Sequence, residues 1–160
     1  MNGDWDIVIL QEQCAFAVLN EEAFCTSTQT FDEVIRKAGA QTALFMLWGY
    51  KDDPEITNQR VAAACTRISE RLDLPVIPVG LAWDAVAHSR PELDLYLFDG
   101  MRANLHGRYL TANVFYAALF GESPEGLAYI PAPPGVKRVI TAEEAHFLQR
   151  IAWETVQAYP

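Results

Sequence analysis

The chain has 160 residues, a formal net charge of −9, 51% hydrophobic and 21% charged residues. That length fits one domain spanning 1–160, and a domain of this size buries roughly 68–70% of its unfolded surface, so it needs neither disulfide nor metal to fold. The acidic balance argues against nucleic acid as a partner, because a phosphate backbone is held by clustered Lys and Arg.

The three cysteines, Cys14, Cys25 and Cys65, include no CxxC pair, which points to buried free thiols and not to a disulfide framework or a zinc site. No stretch reaches the roughly 20 apolar residues of a membrane span, so no membrane partner is expected. Met1-Asn2-Gly3-Asp4-Trp5-Asp6 lacks the basic and apolar regions of a signal peptide, which implies a cytoplasmic protein if Met1 is the true start.

In chain order, Ile7-Val8-Ile9-Leu10 reads as a first buried strand. Thr30 to Ala38, with Phe31, Val34 and Ile35, reads as a helix that Gly39 can cap. Thr42 to Leu47 reads as a second strand. Ile56 to Leu72 then places Val61, Ala64, Cys65, Ile68 and Leu72 at helical spacing. Pro75 to Val79 reads as a third strand, followed by a helix from about Trp83 to Ala87, an irregular stretch from Arg90 to Arg102, and a helix from Leu105 to Phe120. Pro124 to Val139, rich in Pro and Gly, predicts a surface loop. Thr141-Ala142-Glu143-Glu144 is a capping-box pattern that opens a last helix to Ala158. Apolar strands alternating with helices predict a parallel sheet covered on both faces.

Ligands of open parallel sheets bind beyond the carboxyl ends of the strands. Those ends carry Gln11-Glu12-Gln13-Cys14, Trp48-Gly49-Tyr50 and Gly80-Leu81-Ala82-Trp83. A pocket there would draw on Gln11, Gln13, Trp48 and Trp83. A side-chain amide of the Gln-Glu-Gln run could donate to an oxyanion, or the run could simply be a polar loop. Asp99-Gly100-Met101-Arg102 reads either as a carboxylate that orients a base or as an Asp-Gly turn. Among the three histidines, His106 is the one near Asp99 and the one worth testing as an acid or base. His88 reads as a loop residue and His146 as structural. No HxH or HExxH pattern suggests a metal. Gly39, Gly49 and Gly80 stand alone, so no nucleotide cofactor is expected, and there is no G-x-S-x-G elbow.

Several blocks together carry a family resemblance. Trp5 to Gln13 resembles the strand and oxyanion loop of a branch of the SGNH (GDSL-like) ester hydrolases. Pro78 to Trp83 is similar to their strand before the last catalytic block. Asp99 to Leu110 is similar to that block and its helix, and Phe120 to Leu127 to the segment beyond. The resemblance implies a three-layer, flavodoxin-like α/β fold and a serine hydrolase mechanism acting on a small-molecule ester or an acylated carbohydrate. In it an Asp-x-x-His block supplies acid and base. Asp99 then takes the acid position, Gln13 and less directly Gln11 the oxyanion position, and Arg102 stands where the family has its histidine.

A guanidinium cannot accept a proton near neutral pH. The nucleophile block would precede Trp5, and Ser27, Ser69, Ser89 and Ser123 lie in the wrong context to replace it. The expectation is therefore an N-terminally incomplete, catalytically deficient domain. His106, one helical turn beyond Arg102, is a poor substitute base unless the loop rearranges. The first strand should expose an edge suited to self-pairing, so a homodimer or a non-catalytic binding module is the competing expectation.

Overall fold

The computed structural model describes residues 4–131 and 140–159. The chain begins with β1 (Ile7–Gln11), α1 (Cys14–Leu19), α2 (Glu21–Lys37) and β2 (Gln41–Phe45). It continues with α3 (Asn58–Leu72), β3 (Val76–Ile77) and α4 (Val79–Ser89), and ends with α5 (Leu105–Phe120) and α6 (Ala142–Ala158). The strands form one parallel sheet in the order β1-β2-β3, with Ile9 beside Ala43, Leu10 beside Leu44 and Phe45 beside Ile77.

Strand periodicity sorts the side chains onto two faces, each with its own core. Ile9, Phe45 and Ile77 meet a cluster built from α4, α5 and α6, centred on Trp83, Leu110, Val114 and Leu148. Leu10, Leu44 and Val76 meet a second cluster from α1, α2 and α3, with Phe24, Cys25, Val61, Cys65 and Ile68. Helices thus cover the sheet on both sides, which gives the expected three-layer α/β architecture. All three cysteines are free and buried.

Three expectations need correction. The third strand is two residues long, and Val79 already belongs to α4, which runs from Val79 to Ser89. Pro75 and Pro78 lack the N–H groups that a longer ladder would need, and Pro78 sits at the N-cap. The helical region after β1 starts at Cys14, far ahead of Thr30, and the buried side of α2 mixes apolar Phe24, Cys25 and Ile35 with polar Thr28 and Asp32, which obscures the helical pattern in the sequence. Of the Pro- and Gly-rich loop, 132–139 lies outside the described residues. The capping box forms as the sequence suggests: Thr141 Oγ1 accepts from Glu144 N at 3.2 Å and Glu144 Oε2 accepts from Thr141 N at 2.9 Å.

Candidate functional site

Asp99 lies on the loop that leads into α5, and its own turn occupies its carboxylate. Oδ1 accepts from the backbone N–H groups of Met101 and Arg102, each at 3.0 Å, and Oδ2 accepts from Arg102 Nε at 2.5 Å. These donors, led by the Arg102 N–H and guanidinium, lower the Asp99 carboxyl from its ordinary 3.8 to about 2. Arg102 is 69% exposed at its side chain while Asp99 is 13% exposed, so the pair presents a guanidinium to solvent over a shielded acid. Near neutral pH the Asp99 carboxyl is therefore ionised. The Asp-Gly segment forms a turn, and the Asp99 carboxylate within it holds Arg102.

Neighbouring elements fix the loop. Trp48 Nε1 donates to Met101 O at 2.8 Å, and Lys51 N donates to Gly100 O at 2.8 Å. Trp48 stacks on Trp83 with ring centroids 4.0 Å apart and planes 3° from parallel, and Tyr96 meets Trp83 edge-on at 4.8 Å. The structure separates the two tryptophans in role. Trp48 is half-buried and reaches the surface, whereas Trp83 is 1% exposed and belongs to the core. Trp83 therefore supports the rim from beneath and does not form its surface.

The Gln11-Glu12-Gln13 run also differs from expectation. Gln13 caps α1, its Oε1 accepting from Phe16 N at 2.9 Å while its Nε2 donates to the Tyr50 hydroxyl. The amide proposed for an oxyanion is thus engaged within the protein. Gln11 ends β1 and is exposed. Cys14, directly after the cap, is buried, and burial pushes its thiol above the usual range, with Tyr50 and backbone hydrogen bonds opposing, so it is no thiolate nucleophile.

His106 is the clearest correction. It is 1% exposed, and its Nε2 lies 3.3 Å from Glu144 Oε2 of α6, so its ring occupies the α5–α6 interface. At the second position of α5 the helix turns it inward, because Asn104 caps α5 and sets its direction. The other histidines stand apart as well: His88 Nδ1 contacts Asp84 O at 2.8 Å, and His146 is exposed on α6. The serines are similarly committed. Ser69 Oγ donates to Leu74 O at 2.6 Å, Ser123 Oγ accepts from Glu125 N at 3.2 Å, Ser27 is on the exposed side of α2, and Ser89 ends α4.

Two residues essential to the site escaped sequence reasoning. Asn104 Oδ1 accepts from His106 N and Gly107 N while its Nδ2 donates to Asp94 O and Tyr96 O, joining the 94–96 loop to the start of α5. Its position just before a helix was the available signal. A Cβ on Gly107 would lie 2.5 Å from Leu95 O and 2.6 Å from Trp83 Cζ2, so only glycine lets α5 approach the tryptophan. Beside the loop, Trp48, Ala103, Phe45, Phe115 and Leu119 line an apolar cavity of about 630 Å³ with Arg108 at its wall. Among the described residues no cluster of His, Cys, Asp or Glu could hold a metal ion, and no helix is long and apolar enough to cross a membrane.

No family model matches the chain, and no curated protein matches it. Two solved structures share its architecture. A DUF4886 family protein from Bacteroides uniformis superposes with a TM-score of 0.74 at 16% identity, over 98% of this chain and 64% of its own. A protein described as "a putative SGNH hydrolase", from Slackia heliotrinireducens, superposes with a TM-score of 0.63 at 23% identity, over 72% of this chain and 66% of its own. The chain thus spans just under two thirds of each neighbour's length. At these identities the likeness establishes the fold, which is that of an SGNH-like α/β protein.

Proposed function

We propose that this chain is a unit of an SGNH-like ester hydrolase, with Asp99 at the acid position, and that these residues do not hydrolyse esters unaided. The observation that carries the reading is the closed Asp99–Arg102 pair: both carboxylate oxygens are occupied, and the residue they orient is a guanidinium. General-base catalysis needs an acceptor within about 3 Å of the attacking hydroxyl, and a histidine held in the α5–α6 interface does not meet that demand. The substrate class that goes with the reading is a small-molecule ester or an acylated carbohydrate. With p-nitrophenyl acetate the chain should release p-nitrophenol no faster than buffer does. Turnover above that level which disappears in Asp99→Asn would overturn the proposal.

A second reading, ligand binding without turnover, is favoured by the cavity of about 630 Å³ at the rim of the same loop. Its lining is apolar, and apolar clefts of roughly 300–1,000 Å³ are the usual size for small-molecule sites. Binding of an ester analogue that quenches Trp48 and is lost in Phe115→Asp, with no turnover, would select it.

A further inference from the structure

A second cavity, of about 250 Å³, lies between the segments that follow β2 and β3, and β1 contributes nothing to its walls. Lys51, Asn58, Asp94 and Tyr96 give the lining its polar groups, and Trp83 and Leu93 give it apolar surface. The Asp99–Arg102 pair is not among the lining residues. The walls are braced from several directions. Asn58 Oδ1 accepts from Gly49 N at 2.7 Å, and the Tyr96 hydroxyl donates to Gly49 O at 3.1 Å. Asn104 Nδ2 donates to Asp94 O and Tyr96 O. A site held this way loses little freedom when a ligand enters.

The bonds already made leave mainly donors over. With its oxygen committed to Gly49 N, the Asn58 amide has an Nδ2 with no partner among the described residues. Lys51 Nζ uses one of its N–H groups on Asp94 Oδ2 at 2.8 Å, and an ammonium has three. Trp83 Nε1 is buried without an acceptor among the described residues. The Tyr96 hydroxyl directs its proton at Gly49 O, so its oxygen can still accept. The surrounding charge narrows the ligand further. Burial foremost, and then Asp94, Cys14, Asp52 and Asp84, push the Tyr96 hydroxyl above its ordinary range. A region that acidic disfavours an anion, and a cation cannot accept from the three donors.

We propose that this cavity binds a neutral, hydroxyl-rich molecule the size of a single sugar ring. Neighbouring ring hydroxyls would accept from Asn58 Nδ2, Lys51 Nζ and Trp83 Nε1, and one would donate to the Tyr96 oxygen. The C–H groups of the ring would lie against Leu93 and the aromatic side chains. The volume falls below the roughly 300–1,000 Å³ of sites for drug-sized ligands, so one ring fits and a chain of rings does not. Binding here involves no ester chemistry, so it stands or falls separately from the hydrolase reading, which the p-nitrophenyl acetate assay tests.

Nitrogen–proton NMR titration of the full chain tests this, with methyl β-glucopyranoside, methyl β-galactopyranoside and myo-inositol as probes. The expected result is a saturable shift of the Asn58 side-chain amide and the Trp83 indole N–H with at least one probe, at a Kd of about 1 mM. Asn58→Asp keeps an acceptor for Gly49 N and suits the first turn of α3, but it removes the Nδ2 donor. It should weaken Kd by about tenfold. Ala87→Phe, at an exposed position of α4 that lines the cavity, should block the space and weaken binding independently. No saturable shift with any of the three probes up to about 50 mM overturns the proposal. So does saturation of the same signals by acetate or methylammonium at equal or lower concentration, or a Kd unchanged in both variants. The wild-type titrations decide the matter even if either variant fails to fold.

Discussion

Asp99 in its turn and Glu144 at the start of α6 are both carboxylates held down to about 2, the first in an exposed loop and the second against burial. Asp99 is served by donors within its own turn, and Arg102, its ionic partner, is largely exposed. For Glu144 burial pushes the carboxyl upward, and the Thr141 N–H, His106 and the Thr141 hydroxyl together outweigh it. One charge is satisfied wholly within its own turn; the other is satisfied by the capping box of its own helix together with a histidine brought in from α5. A low carboxylate pKa therefore marks a stability element at Glu144 and a conformational lock at Asp99.

The strongest way to break the comparison is at the helix junction. Gly107→Ala should cost about 2–3 kcal/mol, since the new methyl group meets a backbone carbonyl and a buried indole. His106→Ala, which empties a fully buried site at the α5–α6 interface, should cost about 3 kcal/mol. Urea unfolding checks both, and a midpoint unchanged from wild type in either would mean that α5 can shift relative to Trp83 and α6. Glu144→Gln should lose about 1–2 kcal/mol, because the capping box and the His106 contact weaken together.

Acid dependence sharpens the contrast further. Glu144 has a folded value of about 2 against an ordinary value of 4.5. Its contribution is fully present above 4.5 and is lost as pH falls from there toward 2. Tm should drop across that window, and Glu144→Gln should flatten the drop. An equally steep profile in the variant would assign acid lability elsewhere. The smallest effect on stability is expected at Arg102, where Arg102→Ala should change the unfolding free energy by no more than about 0.5 kcal/mol. The same variant should move the Asp99 carboxyl midpoint upward from about 2 toward its ordinary 3.8. Carboxyl carbon chemical shifts followed by NMR would show it, and an unmoved midpoint would mean that the backbone donors alone hold the charge.

Much of this molecule is readable in one dimension where the cause is local. Ile7–Leu10 and Ala43–Phe45 are apolar because helices cover both faces, and α5 and α6 begin at residues whose side chains cap them. Readability fails where distant residues decide. The Gln13 amide looked free until Tyr50 came into contact with it, and His106 looked close to Asp99 until α5 turned it toward α6. Trp48 and Trp83 looked equivalent at neighbouring strand ends, yet one reaches the rim and the other supports it.

The sequence by itself determined the parallel α/β layering, the helix caps and the chemistry available at Asp99 and Arg102, because periodicity, capping and proton affinity are properties of neighbouring residues. Only the tertiary structure decided which side chains face one another. It put His106 against Glu144 and Gly107 against Trp83, because burial and packing are set by chain segments far apart in sequence.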